Sequence, residues 1–500
     1  MLITALLPSD PRRWHQRFLS VLGSSGYELQ LLDSGYRTSL PAGLGLLLTL
    51  ERLLFRAGDN VFEPVDLAMA EGPPKGEFVV DLSGFTAATG GQAPRLSPLF
   101  DRCCDPNSAI AALLDGRAPR LEIEFRDAMR AQIVASGLPA VEDQHSLSRS
   151  LGQICARSAS LLLRALRDFQ RGRILGGVAE PAIACVPPAS LFLLPFVARA
   201  LVSKVAYRLT RIARMSDHWV VGYRLAGANK LWDRFAWEAP NSLFRLPDDG
   251  ARFYADPFVL RHDGAFHVFV EEYPYSTGKG VVSWLTIDDA GKASAPRIVL
   301  ERPYHLSYPF VFEHGGQVYM VPETHKARRV EIYRADPFPH RWVFEGILID
   351  DIEATDATLV ADCGRLWLFA AVADAGASTW DSLCLFSSDK LLGKWRPHHR
   401  NPVLVDARAA RPAGAMVRAN GRLWRVAQDC SRIYGGGLAF CAIDRLDDED
   451  YAQSVVKTLA PPPSVRARGI HTLNCAGALE VFDLIVPLRT AGMLQGEGIV

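Results

Sequence analysis

The chain has 500 residues, 55 Lys+Arg against 55 Asp+Glu, and a formal net charge of +0. With 49% apolar and 22% charged residues, it has the composition of a soluble globular protein long enough for two or three domains, not of a disordered chain. The neutral balance excludes a general polyanion binder, because nucleic-acid proteins need a basic excess to displace counterions.

The N-terminal apolar run is too short and lacks the basic start of a signal peptide. Ala189–Val205 is the longest apolar stretch. Pro195, Arg199 and Lys204 interrupt it, so it reads as a buried or interfacial helix, leaving peripheral membrane contact but no span. Nine scattered cysteines without a CxxC pair predict free thiols in a reducing, cytoplasmic setting, with no disulfide framework, no metal site and no cofactor.

Residues 1–175 alternate short apolar runs with helical periodicity and predict an α/β open, largely parallel, Rossmann-like sheet. Strands are expected at Leu2–Leu7, Tyr27–Leu32, Phe78–Leu82 and Leu121–Phe125. A first helix, capped by Ser9 or Asp10 with Pro11 at its first position, should run through Leu22. Leu44–Phe55 and Ser146–Phe169 predict two more. The first turn carries no GxGxxG and no GxxxxGK[ST], so a phosphate cradle is absent. His145 with Ser146 and Ser148 does not have the spacing of a catalytic triad. A Gly- and Pro-rich linker with an apolar helix is expected over 176–215.

From 216 to 490 the pattern is all-β. Five segments align, starting at Asp256, Tyr308, Asp356, Ala413 and Gly469, roughly 50 residues apart. Each is a short apolar strand, a Gly turn (Gly264, Gly316, Gly364, Gly421, Gly477) and a second apolar strand. Asp263-Gly264 and Asn420-Gly421 are strong hairpin turns. This period predicts a five-bladed β-propeller, with His218–Leu225 closing the ring as an outer strand of the last blade.

In a propeller, the start of each first strand and the end of its partner meet at one mouth. That gathers Asp256, Tyr308 and Asp356 with Glu271, Glu272, Glu323, Gln428, Asp429, Arg411 and His471. Such a set suits glycosidic chemistry, which pairs a proton-donating carboxyl with a carboxylate that acts as base or nucleophile. Asp256 is the expected base or nucleophile, Glu323 the acid and Asp356 the tuner, with Glu272 as rival acid. Arg411, Asp429 and His471 are expected sugar ligands, and Tyr254, Tyr273, Tyr308 and Tyr434 the stacking faces. Alanine at Asp256 or Glu323 is expected to abolish turnover with the fold intact. Structural roles stand beside these: Asp256 as a turn cap, His471 as a satisfied core residue, Arg411 as an inter-blade pair. Trp284, Trp342, Trp367, Trp395 and Trp424 read as inter-blade packing.

The motifs Tyr254-Ala255-Asp256-Pro257-Phe258, Ser307-Tyr308-Pro309-Phe310 and Val321-Pro322-Glu323-Thr324 resemble the N-terminal propeller of plant glucosamine inositolphosphorylceramide transferases and its bacterial relatives. More distantly they resemble five-bladed family 43 glycoside hydrolases, which implies the base role for Asp256. Residues 1–170 resemble the degenerate formyltransferase-like domain fused to such propellers in some bacteria. The catalytic Asn, His and Asp of that family are missing here, so no folate site is expected. Together these readings imply glycoside hydrolysis or glycosyl transfer on a carbohydrate, nucleotide-sugar or glycolipid substrate of the cell surface. The alternatives are a non-catalytic glycan-binding propeller, or acyl or formyl transfer in the first half.

Overall fold

The computed structural model describes residues 1–55, 60–84, 93–173, 193–212, 217–226, 230–235, 237, 243–463 and 465–487. Of the expected linker and helix over 176–215, residues 176–192 and 213–215 lie outside them, and 193–212 are described as a helix. The chain divides into two units, Met1–Tyr207 with Ala373–Ser378, and Arg208–Val372 with Thr379–Val500.

The first unit holds one mixed six-stranded sheet. Strands β1 (Leu2–Leu7), β2 (Glu28–Asp33), β3 (Phe78–Asp81) and β4 (Arg95–Phe100) run parallel, and β5 (Leu121–Arg126) and β6 (Ala131–Gly137) continue it antiparallel, in the order β2-β1-β3-β4-β5-β6. The largely parallel expectation therefore holds for four strands. A loop as short as that between β5 and β6 can join only antiparallel neighbours. Strands β4 and β6 escape a sequence reading because Pro98 and Ser97 break one apolar run, and β6 is mostly half-buried.

Helix α1 (Arg13–Ser24) starts later than expected. Its cap is Arg12, whose backbone N–H donates to His15 Nδ1 at 2.8 Å. Asp10 instead accepts from Arg12 and, at 3.0 Å, from the Thr38 N–H. Helices α2 (Leu44–Phe55), α3 (Asn107–Leu114) and α4 (Leu147–Gln170) follow in the unit, and α5 (Leu193–Ile212) spans the point in the chain, after Tyr207, where the two units divide. Ser146 caps α4, and the buried Glu51 carboxylate of α2 accepts from the N–H groups of Leu147 and Ser148 at 3.0 and 2.9 Å. A carboxylate at a helix N-terminus answers both the orphan donors and the dipole. No described helix is long and apolar enough to cross a membrane.

The second unit is a five-bladed β-propeller. Strands β7 (Asp217–Leu225) and β8 (Phe244–Arg245) come first in the chain but belong to the last blade. Blade one is β9 (Arg252–His262), β10 (Ala265–Pro274), β11 (Val281–Ile287) and β12 (Arg297–Leu300). Blade two is β13 (Ser307–His314), β14 (Gln317–Glu323), β15 (Arg329–Ala335) and β16 (Trp342–Asp350). Blade three is β17 (Ala354–Asp362), β18 (Arg365–Val372), β19 (Ser382–Ser388) and β20 (Arg396–Pro397), with β21 (Leu404–Val405) also on β19. Blade four is β22 (Val417–Ala419), β23 (Arg422–Asp429), β24 (Gly437–Leu446) and β25 (Tyr451–Leu459). Blade five is β26 (Leu473–Ala476) and β27 (Leu479–Pro487), completed by β7 and β8.

The repeated hairpin is visible in the backbone. Asp263-Gly264, Gly315-Gly316, Cys363-Gly364 and Asn420-Gly421 all have positive φ at both central positions, the twist-matched turn that joins adjacent strands without splaying them. Strand β7 pairs antiparallel with β27 from Leu225–Leu479 to Asp217–Pro487. It is the third strand of its blade, with β8 outside it, so the ring is closed by the start of the unit pairing with its end. Trp342 and Trp395 are buried in one core cluster with Trp284 packed against it, Trp367 is buried in a second, and Trp424 packs against a third.

Gly222 lies in the closing strand, where a Cβ would sit 2.5 Å from the buried Phe482 ring. Gly222→Val is expected to destabilise the propeller by about 1–3 kcal/mol through overpacking, read as a lowered denaturant midpoint. An unchanged midpoint would mean that this pairing does not hold the ring.

Candidate functional site

Each of the first three blades begins with a bulge. Asp256, Tyr308 and Asp356 have φ of 49°, 42° and 55°, and the ladder slips at each: Ala255 opposes Glu271 and Phe258 opposes Phe269, Ser307 opposes Glu323 and Phe310 opposes Val321, Thr355 opposes Ala371 and Thr358 opposes Phe369. Asp tolerates the left-handed region; a tyrosine there is uncommon. The bulge takes the anchor residue out of its ladder and re-aims its side chain, leaving its N–H without a strand partner.

Carboxylates of neighbouring blades take those N–H groups. Asp483 on β27 accepts from the Asp256 N–H at 2.9 Å, and from the His471 and Thr472 N–H groups at 3.1 and 3.0 Å. Asp256 accepts from the Tyr308 N–H at 3.0 Å, and Glu323 from the Asp356 N–H at 3.3 Å. The Tyr308 hydroxyl accepts from the Gly414 N–H at 2.7 Å. Asn474 accepts from the Ala415 N–H at 2.7 Å and donates to the Pro257 carbonyl at 2.8 Å. The pins run across every blade.

The structure brings Asp256, Glu323, Asp356, Arg411 and His471 together with Glu271, Gln428, Thr472 and Asp483. Arg411 donates from Nε to Asp356 at 2.5 Å, and from its two amino groups to Thr379 at 3.1 Å and the Tyr434 hydroxyl at 3.3 Å. Gln428 donates to the same Asp356 oxygen at 2.9 Å. His471 Nε2 is 3.0 Å from Asp256 and Nδ1 is 2.8 Å from Asp483. Glu323 holds His325 at 2.6 Å. Half-buried Tyr434 lies under the Arg411 guanidinium, 4.9 Å to the ring centroid, with Trp380 at 5.4 Å and Trp219 at 6.1 Å.

Three expected ligands sit elsewhere. Glu272 points to the opposite strand face from Glu271 and is held within its blade by Arg252 and by Ser283 Oγ–H, which donates at 2.6 Å. Strand alternation therefore assigns the funnel to Glu271. Tyr308 is fully buried, edge-on to Phe258 with its hydroxyl on Thr358 and Gly414, so it latches blades and offers no stacking face. Asp429 accepts from the N–H and hydroxyl of Ser431, capping its own turn. Trp219 and Trp380 were missed because neither lies in the repeated segments. The signal available was the one aromatic residue next to His218 at the start of the closing strand.

Charge is balanced group by group. Burial opposes ionisation of Asp256, but His471 and the donated hydrogen bonds outweigh it and hold the carboxyl below its usual range. His471 loses from burial and gains more from Asp483 and Asp256, rising to about 10. Glu323 is likewise held low against burial, by His325 first. This is the opposite of what a proton donor needs, so the expected acid role does not fit Glu323. The carboxyls raised above their usual range are Asp356, which burial and the nearby Glu323 and Asp256 raise to about 7 despite Arg411, and Glu271, which burial and Asp256 push up.

Asp256, His471 and Asp483 each bring a ligand-capable atom within 4.8 Å of the others. The imidazole lies between the two carboxylates, Nε2 near Asp256 and Nδ1 near Asp483, so that a protonated His471 forms an ion triad with them.

The family described as Glucosamine inositolphosphorylceramide transferase 1, N-terminal, matches residues 246–471, a span that holds Asp256, Glu271, Glu323, Asp356, Arg411, Tyr434 and His471. Glucosamine inositolphosphorylceramide transferase 1 of Oryza sativa subsp. japonica is 33% identical over 227 residues, 44% of this chain and 30% of that protein. Its namesake in Arabidopsis thaliana is 32% identical over 207 residues, 41% of this chain and 27% of that protein. The chain thus spans less than a third of the length of these curated relatives. Among solved structures, the catalytic domain of Coprinopsis cinerea GH62 alpha-L-arabinofuranosidase aligns with a TM-score of 0.36 and 14% identity, over 46% of this chain and 90% of that one.

Removing His471 leaves Asp256 and Asp483 buried without their cation. His471→Ala is expected to lose about 3–5 kcal/mol at neutral pH, the usual loss for breaking a buried pair from one side. In the parent protein the folded His471 titrates above its ordinary 6.5, so its contribution is full below about pH 6.5 and fades as pH rises through about 10. Melting temperature against pH should show this alkaline loss, and the variant should lack it; equal slopes would refute the triad. Asp256→Ala removes the Tyr308 N–H acceptor too, so a lowered melting temperature is expected in place of an intact fold.

Proposed function

We propose that the propeller funnel is a carbohydrate-binding site in a protein that recognises or modifies glycoconjugates. The observation that carries this reading is the half-buried wall of Tyr434, Trp380 and Trp219 beside a floor of Arg411, Asp356 and His471. Aromatic faces take the C–H face of a sugar ring, and convergent charged groups take its hydroxyls. The overlap of this floor with residues matching the glucosamine inositolphosphorylceramide transferase family supports a sugar-bearing head group, such as that of a glycolipid, as the ligand class.

Recognition fits the funnel better than hydrolysis. Asp256, Glu323 and Asp356 each hold a basic partner and each belongs to a blade-to-blade network. The fourth blade contributes Arg411 and the neutral Gln428, both bound to Asp356, and no carboxyl at its anchor, Ala413. One observation favours a second reading, glycosyl chemistry in the same funnel. Asp256 and Asp356 are driven to opposite protonation preferences, the pattern that separates a base from an acid. In that reading Asp356 or Glu271, not Glu323, is the donor.

Calorimetric titration with a panel of sugars tests the first reading. Trp380→Ala and Tyr434→Ala are expected to weaken binding at least tenfold, about 1.4 kcal/mol, with little change in melting temperature. Absence of binding by the parent protein across the panel would sink it. For the second reading, Asp356→Asn should abolish glycosyl release or transfer while leaving sugar affinity within a few-fold; retained turnover would remove it.

A further inference from the structure

Strand β7 carries His218 and Trp219 in succession, so their side chains leave on opposite faces. Trp219 goes to the funnel, 4.0 Å from the His471 ring. His218 is fully buried; its Nδ1 is hydrogen-bonded to the Tyr275 hydroxyl at 2.7 Å and its Nε2 lies 3.3 Å from Asp248, which is ion-paired with Arg245. Tyr275 itself is 46% exposed. A surface tyrosine needs no such tether, because water satisfies its hydroxyl and ordering the side chain costs rotamer entropy. Here a buried His, Asp and Arg fix the ring of a residue whose face is open.

The surroundings extend that ring into a strip. Phe253 and Tyr273 stack at 4.8 Å with planes 8° apart. Tyr275 is 6.1 Å from Phe253 and 6.4 Å from Tyr273. Tyr273 is 5.9 Å from His305, whose Nδ1 accepts from the Gly280 N–H at 2.9 Å. That fixes the ring proton on Nε2, 3.3 Å from the funnel carboxyl Glu271. The rings therefore run from an exposed rim down to the acidic floor.

We propose that Tyr275, with the stacked pair Phe253 and Tyr273, is a second sugar-binding platform, so that the propeller takes a glycan of two or more sugar units. The inference rests on the carbohydrate reading of the funnel and adds the length of the ligand to it. The funnel wall holds one ring, and the tethered rim ring holds the next.

Titration of the full chain with xylo-, arabino-, galacto- and chito-oligosaccharides of one to four units tests this, using the parent protein, Tyr275→Ala and Tyr434→Ala. The parent is expected to bind at least one series tenfold or more tighter at two units than at one. Tyr275→Ala should erase that gain and leave single-unit affinity unchanged, while Tyr434→Ala weakens both. A parent that binds one and two units equally, or a Tyr275→Ala variant that keeps the gain, overturns the platform while leaving the funnel reading in place. Failure of the parent to bind any probe overturns the funnel reading, and the platform with it.

Discussion

An N–H turned into a propeller channel has no strand to bond to, and an unmet buried donor costs about as much as a lost hydrogen bond. Three of the five blades here begin on such a residue, held at positive φ by a bulge. The rest of the funnel follows from how those donors are met. Asp483, Asp256 and Glu323 each accept the N–H of the next anchor, and the Tyr308 hydroxyl reaches the fourth blade at Gly414. The acidic funnel is thus first a set of inter-blade pins.

The pins create an electrostatic problem that the cations solve. Several carboxyls brought together in a buried space repel and lose hydration, so each ionises only beside a partner. His471 bridges Asp256 and Asp483 and Arg411 pairs with Asp356, while His325 is hydrogen-bonded to Glu323 and Gln428 donates to Asp356. Burial still raises two of these carboxyls, Glu271 and, even with Arg411 beside it, Asp356. Tyr434, Trp380 and Trp219 line the mouth beside these groups, with the Tyr434 hydroxyl accepting from Arg411 and Trp219 against His471.

Much of the fold was legible because it rests on local chemistry. The glycine turns appear as hairpins with both central residues at positive φ, and the apolar runs beside them as the inner strands. The closing role of the strand at His218 followed from its position ahead of the first complete repeat. Strands β4 and β6 were hidden, one by Pro98 and one by partial exposure. The site was legible only in part. Asp256 and Asp356 stood out at the repeated anchors, but the sequence offers Glu271 and Glu272 as equals. Only the register, slipped by the bulge at Asp256, shows which of the two faces the channel.

By itself the sequence determined the periodicity, the turns and the residue types at each anchor, since these depend on backbone conformation and short-range pattern. It also placed the carboxyls of Asp256, Glu323 and Asp356 at one mouth. The tertiary structure decided how those groups are partnered. Partners distant in the chain, such as Asp483 for Asp256 and Arg411 for Asp356, set which carboxyls are ionised. Burial turned Tyr308 from a stacking face into a latch. Both effects come from desolvation and long-range contact, which no local pattern encodes.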